Sequence, residues 1–600
     1  MNTIATATPA LSNELGPMPE WDLSDLYPAP DSPQIEADLK TVDEMARGFQ
    51  QRYQGKLASA SGDVVGEAIA DYERITEIMY RLLSYSQLRY SSNVSDPENG
   101  RFHQGMHERI TTISTQTLFF TLELNRLDEA ALTDKLKSPK AAHYASWLRD
   151  LRVFRDHQLS DEVEQLLMEK DVVGNSAWVR LFDETMAELR FDVNGKSLTS
   201  AETLNQMTDK NPEKRKAAAK AMGLTLGDNI RVFSLITNTL IKEKEIDDKW
   251  RHYARPTSYR NLSNQVEDEV VDALVQSVKG AFSQLAHRYY ALKAKWFGVT
   301  QLDYWDRNAP LPEDSDKLIT WPEAKDIVLG AYHAFSPELA KIGARFFEGG
   351  WIDAPTRPGK SPGAFAHPTV PSAHPYLLVN FLGKTRDVMT LAHELGHGVH
   401  QVLAAQQGQL MADTPLTLAE TASVFGEMMT FRALLDSETD PQRRRVMLAS
   451  KVEDMLNTVV RQVAFYEFER VIHEERRHGE LSSERIGAAW MDIQRQSLGP
   501  SLRFDEEYQH YWAYIPHFVH TPFYVYAYAF GDCLVNSLYD VYRSGVPNFE
   551  QKYLDMLKAG GTLRHQDLLA PFGLNASDPA FWRRGLDVIV GFIDELEAVS

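Results

Sequence analysis

The stretch DVMTLAHELGHGVHQVLAAQQG, residues 387–408, decides how this chain is read. Apolar side chains fall at Val388, Leu391, Leu395, Val399 and Val402, a helical spacing. Asp387 is expected to cap the helix and Gly408 to stop it. Off that stripe runs a second line: His393, His397 and His400. Residues i and i+4 of a helix lie about 40° apart, so His393 and His397 project to one side and can share one zinc ion. Glu394 follows the first histidine, where it reaches a water on that ion and takes its proton. With 18 histidines and 84 acids in 600 residues, chance supplies about 0.08 such motifs. His400 lies about 10 Å along the axis from His393, too far for the same ion, and is expected to support or pack beside the site. His473-Glu474 with His478 has the wrong spacing, turning the second ring about 140° away, and reads as a helix surface.

Working outward, a catalytic zinc takes a third protein ligand and leaves one position open. Downstream lies MADTPLTLAETASVFGEMMTFRALL. Glu420 and Glu427 are two helical turns apart on one face, among small and apolar neighbours. Glu420 is the expected ligand, and Glu427 is expected to accept an N–H from a ligand histidine. Two alternatives stand beside this: Thr417 and Glu420 also fit a capping box, and Asp413 is a second candidate ligand.

Upstream, residues 349–375 are rich in proline and glycine and cannot be long helix. Tyr376–Phe381 then has strand composition, so a small sheet is expected next to the zinc helix. That strand is read as an exposed edge that pairs with a peptide's main chain, which makes Tyr376, Leu378 and Asn380 substrate-binding candidates. Most of the remaining sequence shows helical periodicity, clearest over 60–130, 158–245 and 440–480. Lys214, Arg215, Lys216 and Lys220 read as a solvated helix face.

Composition narrows the function. The 63 basic and 84 acidic residues give a net charge of −21, which argues against a nucleic-acid partner. One cysteine forms no internal disulfide and no thiolate cluster, leaving histidines and carboxylates for any metal. Cys533 itself reads as a small buried hydrophobe. Residues 1–20 carry no basic residue and no long apolar run, so they read as a flexible tail and not a secretory signal. No window has the apolar length of a membrane span, and a cytoplasmic location is the expectation.

Late in the chain, His517, Tyr524, Tyr526 and Tyr528 stand in IPHFVHTPFYVYAYAFG (515–531). Thr521-Pro522 looks like a helix cap and first turn. Tyrosines on that helix, with His517 before it, are candidates to steady the oxyanion of an acyl-transfer reaction.

Together with that segment, WDLSDLYPAP (21–30), RNLSNQVEDEVVDAL (260–274), TLAHELGHGVH (390–400) and LAETASVFGE (418–427) resemble the M3 family of zinc metallopeptidases, in its oligoendopeptidase F branch. The resemblance spans nearly the whole chain. It implies a mainly α fold, a two-lobed helical ellipsoid around a deep channel, and endopeptidase action on short peptides. It matches His393, His397 and Glu420 to the ligands of one Zn2+ ion, Glu394 to the catalytic acid and base, and Glu427 to a supporting acid. It places a substrate-contacting histidine and tyrosines in the 515–531 segment. It also sets GKSPGAFA (359–366) as a substrate-facing loop, with Gly363 and Ala364 in it and Pro362 where relatives more often carry serine. The expected organisation is a tail (1–20), an N-terminal helical domain (21–195) and a catalytic domain (196–600), as monomer or homodimer. A zinc exopeptidase with the same ligands and a non-catalytic helical peptide-binding scaffold are the competing readings.

Overall fold

The computed structural model describes residues 14–171, 173–311 and 318–599. The fold is mainly helical, with three small sheets among the described residues. By packing, the chain divides into two compact units. One gathers Met1–Arg155, Asp316–Ser437 and Gly545–Gly573; the other gathers Asp156–Ser315, Glu438–Ser544 and Leu574–Ser600. The division expected at 195/196 therefore falls inside the second unit.

In the first unit, α1 (Pro33–Tyr53) and α2 (Gly62–Ser92) pack together. Ser32 and Ser61 cap them through side-chain oxygens, which satisfy otherwise free N–H groups of the first turns. The first thirteen residues of the expected tail lie outside the described residues. The rest of it is packed: Leu15 is fully buried and its carbonyl accepts the Trp321 N–H at 2.8 Å.

Helix α3 (Trp321–Phe335) begins with a complete Thr320/Glu323 capping box, and α4 (Pro337–Glu348) starts from Ser336. Strands β1 (Ile352–Pro355), β2 (Phe365–His367) and β3 (Tyr376–Phe381) follow. Their order is β1–β3–β2, with β1 parallel and β2 antiparallel to β3. The expected sheet is thus present, but β3 is its central strand. The edge reading of Tyr376, Leu378 and Asn380 is corrected: both sides of β3 are already paired, and Tyr376 and Leu378 are fully buried. Asn380 donates instead to the carbonyls of Ser361 and Gly363 at 3.1 and 2.9 Å.

Helix α5 (Thr385–Ala404) packs against β3 and β2. It starts two residues before Asp387, which lies in its first turn. From there the Asp387 carboxylate reaches back to accept the N–H groups of Leu382 and Lys384 at 2.9 and 3.0 Å. The helix ends at Ala404, earlier than expected; a single 3-10 turn, Ala405–Gln407, follows, and Gly408 ends that turn at a positive φ of +83°. Val388, Leu391, Leu395 and Val399 fill the core beneath it.

Helix α6 (Leu416–Ser437) crosses α5 at backbone contact. A Cβ on Gly396 would lie 2.5 Å from the Ala422 carbonyl oxygen and 2.6 Å from the Ser423 Cα. The glycine inside the histidine motif is therefore what lets the two helices meet. Gly396→Ala is expected to destabilise the protein by about 1–3 kcal/mol, because two backbones must separate. Calorimetry of the variant checks this, and an unchanged unfolding midpoint would contradict it.

The second unit contains α7 (Pro441–Thr458), α8 (Val460–Arg476) and α9 (Tyr526–Arg543). Two expectations fail here. Helix α9 starts at Tyr526, and Thr521 instead ends the single turn His517–His520. His473 is buried, against the Phe523 ring at 4.6 Å, because it falls on the inward stripe of α8 and not on its surface. Cys533 is fully buried, as its apolar setting led one to expect. Among the described residues no helix is long and apolar enough to cross a membrane.

Candidate metal centre

Helices α5 and α6 bring three side chains to one point. His393 Nε2 lies 3.3 Å and His397 Nε2 3.5 Å from the same oxygen, Glu420 Oε2. The two imidazole centroids are 5.0 Å apart and inclined at 79°. Zinc held tetrahedrally by bonds of about 2.0–2.2 Å would separate its ligand atoms by roughly 3.3–3.5 Å. The observed spacings therefore fit one ion. Among the described residues this is the one group of three or more histidine and carboxylate side chains close enough to share a metal.

The electrostatics point the same way. Burial opposes charge on His393, but hydrogen bonds to Glu420 and Glu427 outweigh it and raise its pKa to about 10. Burial would also raise Glu420, yet His393 holds it down at about 2. His397 is pushed down to about 4 by burial and stays neutral. The site thus favours a positive charge beside Glu420, a demand that a divalent cation answers.

Supporting contacts complete the centre. Glu427 Oε2 lies 3.2 Å from His393 Nδ1, which fixes that ring with its other nitrogen toward Glu420. Ser423 Oγ donates to Glu420 Oε2 at 2.6 Å. Glu394 is 8% exposed, and its pKa is pushed up to about 7, chiefly by burial. A carboxylate of that basicity is suited to exchanging protons near neutral pH. The capping alternative for Glu420 fails, since Thr417 already lies inside α6 and the Glu420 side chain turns to the histidines. Asp413, in the turn before α6, is not in the group. His400 is buried one turn beyond His397, its Nε2 3.4 Å from Thr414 Oγ1, and does not join the three.

Two contacts escape a reading of the sequence by motif. The Tyr332 hydroxyl donates to the Ala392 carbonyl at 2.7 Å, immediately before His393. The buried Lys360 pairs with Asp353 Oδ1 at 2.9 Å and donates to the carbonyls of Asp353, Pro355 and Val379 at 3.0, 2.9 and 2.6 Å. Arg357 binds the same carboxylate with both terminal nitrogens. Loop 356–364, which holds Gly363 and leads through Ala364 into β2, is thereby pinned. The sequence signal was available in the charges at 353, 357 and 360 within a proline-rich stretch.

The second unit holds the remaining candidates. His517 Nε2 is 3.4 Å from the Tyr528 hydroxyl, and the His517 and Tyr524 rings stack with centroids 6.2 Å apart. Tyr526 is corrected to a core residue: it is fully buried, and its hydroxyl accepts from Asn264 Nδ2 at 2.9 Å.

Such a donor set suits a divalent ion held beside a carboxylate base, the arrangement of a metal-dependent hydrolase. Residues 205–588 match the family model described as peptidase family M3, and residues 123–191 match that of oligopeptidase F. Oligopeptidase PepF of Bacillus subtilis is 28% identical over 592 residues, covering 96% of this chain and 86% of that protein. A solved structure from Chlamydophila abortus superposes with a TM-score of 0.86 at 23% identity, covering 97% of this chain and 98% of the other. Oligoendopeptidase F from Enterococcus faecium gives 0.71 at 21% identity, covering 94% and 98%. The chain belongs to peptidase family M3.

Proposed function

We propose that this peptidase is a zinc-dependent oligoendopeptidase that cleaves internal bonds of short peptides. The observation that carries the reading is the spacing of the His393, His397 and Glu420 donor atoms, which suits one zinc ion. Zinc bound there would supply an acidified water and polarise the scissile carbonyl. Glu394 takes the proton of the attacking water and passes it to the leaving amine. Glu427 holds the His393 ring in the orientation that ligation requires.

His517, Tyr524 and Tyr528 are assigned to substrate contact, with a tyrosine hydroxyl steadying the oxyanion. The peptide's main chain is assigned to the edge strand β2 beside α5, a position supported by the order β1–β3–β2. An edge strand recognises backbone, so tolerance of many side chains is expected. The lone, buried Cys533 agrees with a cytoplasmic location.

Internally quenched peptides blocked at both ends test the endopeptidase assignment. Their cleavage is expected, and turnover restricted to peptides with a free terminus would favour an exopeptidase. Glu427→Gln is expected to lower zinc affinity or activity by about 10–100-fold. Competition against a chromophoric chelator reads the affinity, and unaltered affinity together with unaltered turnover would remove Glu427 from the centre.

A further inference from the structure

We propose that Tyr332 is a positioning residue of the metal centre: its hydroxyl, lodged between α5 and α6, fixes the spacing at which His393 and Glu427 pair. Tyr332 lies in the last turn of α3, is buried, and belongs to the same packed unit as both helices. Its hydroxyl donates to the Ala392 carbonyl at 2.7 Å. That carbonyl is part of the peptide unit whose nitrogen belongs to His393. On the other side stands Gly426, the residue before Glu427. A Cβ there would run into the Tyr332 oxygen and lie 2.6 Å from Cζ, the ring carbon that bears it. One oxygen atom therefore bears on the backbone just before each member of the pair. The pair's own contact, His393 Nδ1 to Glu427 Oε2, is 3.2 Å.

Tyr332 is not one of the three converging groups, so it acts through the backbone and not as a ligand. A buried phenol needs an acceptor, but any carbonyl would satisfy that need. Two further features make this one specific. Glycine inside a helix weakens it, and Gly426 is where α6 makes room for the hydroxyl. Helix α6 is also anchored from behind. The hydroxyl of Tyr553, on α10 (Phe549–Lys558), donates to the Thr421 carbonyl at 2.8 Å, one residue beyond Glu420. Tyr332 and Tyr553 line one cavity with Phe335, Gly396 and Phe425, and the Phe335 and Tyr553 rings meet edge to face at 5.3 Å. The Tyr332 hydroxyl is thus the stop against which the two helices close. Removing it leaves the ligands whole and loosens the pairing that orients His393.

The proposal rests on the zinc reading above, and its test separates the two. Zinc affinity is measured by competition with a chromophoric chelator for the wild-type protein, Tyr332→Phe, Glu427→Gln and the double variant. Tyr332→Phe should lower the affinity by about 10-fold. In the Glu427→Gln background the same substitution should change it by less than about 2-fold, because the pair it serves is already broken. A merely structural tyrosine would lower both backgrounds alike. If Tyr332→Phe does not fold, Tyr332→Met, which fills the space without a hydroxyl, takes its place in the same comparison. Unaltered affinity in the single variant, or an equal fall with and without Glu427, would overturn the proposal and leave the zinc site standing. A wild-type protein that binds no zinc would overturn the zinc reading itself, and the proposal with it.

Discussion

Glu394→Gln should lower kcat by roughly 10²–10⁴ while the protein keeps its zinc. Gln preserves the shape of the side chain and removes its ability to take a proton. Glu394 is not among the three converging groups, His393, His397 and Glu420, so its loss leaves that set whole. Its burial and raised pKa, about 7, suit the exchange of a proton near neutral pH. Metal content by atomic absorption and kcat on a quenched peptide together check the role. Undiminished turnover in the zinc-loaded variant would refute it, and loss of zinc would move Glu394 from base to ligand support.

The second large effect is expected at Glu420. Its Oε2 is the atom both histidines face, and it is the sole carboxylate in the group. Glu420→Ala removes one of three donors and the negative charge that balances the cation. Zinc affinity should fall well beyond the 10–100-fold that a supporting residue contributes. Hydrolysis should vanish at ordinary zinc concentrations and return only in part with added metal. Chelation of the wild-type enzyme should abolish hydrolysis, and stoichiometric zinc should restore it. A Glu420→Ala protein that retains one equivalent of zinc after dialysis would transfer the third ligand elsewhere.

How much of this was legible in the sequence depends on the range of the interaction. The histidine helix was readable because its information is local: helical period and the i to i+4 histidine spacing lie within one stretch of 20 residues, whereas its end falls at Ala404, before the glycine expected to stop it. Glu420 was readable for a similar reason, since two acids two turns apart on an otherwise apolar face are hard to explain as surface. The strand 376–381 was recognised by composition, yet its place at the centre of the sheet was not. That place depends on pairing with residues 352–355 and 365–367, which leaves no mark on the strand itself.

The aromatic segment misled for a related reason. Tyr524, Tyr526 and Tyr528 look alike in sequence. The fold buries Tyr526 on the inward face of α9 against Asn264, 262 residues away, and leaves Tyr528 37% exposed. Asp387 was given the wrong position: a cap would accept N–H groups further along the helix, whereas from the first turn its carboxylate reaches back to those of Leu382 and Lys384. The close crossing at Gly396 was invisible locally, since nothing in the motif shows that Ala422 and Ser423 lie against it.

The central claim is that His393, His397 and Glu420 bind one zinc ion. Anomalous scattering from zinc-loaded crystals, recorded on both sides of the zinc absorption edge, tests it most directly. The account predicts a single strong peak about 2.0–2.2 Å from His393 Nε2, His397 Nε2 and a Glu420 carboxylate oxygen. A peak ligated by Asp413 or His400, or no peak between α5 and α6, would contradict it.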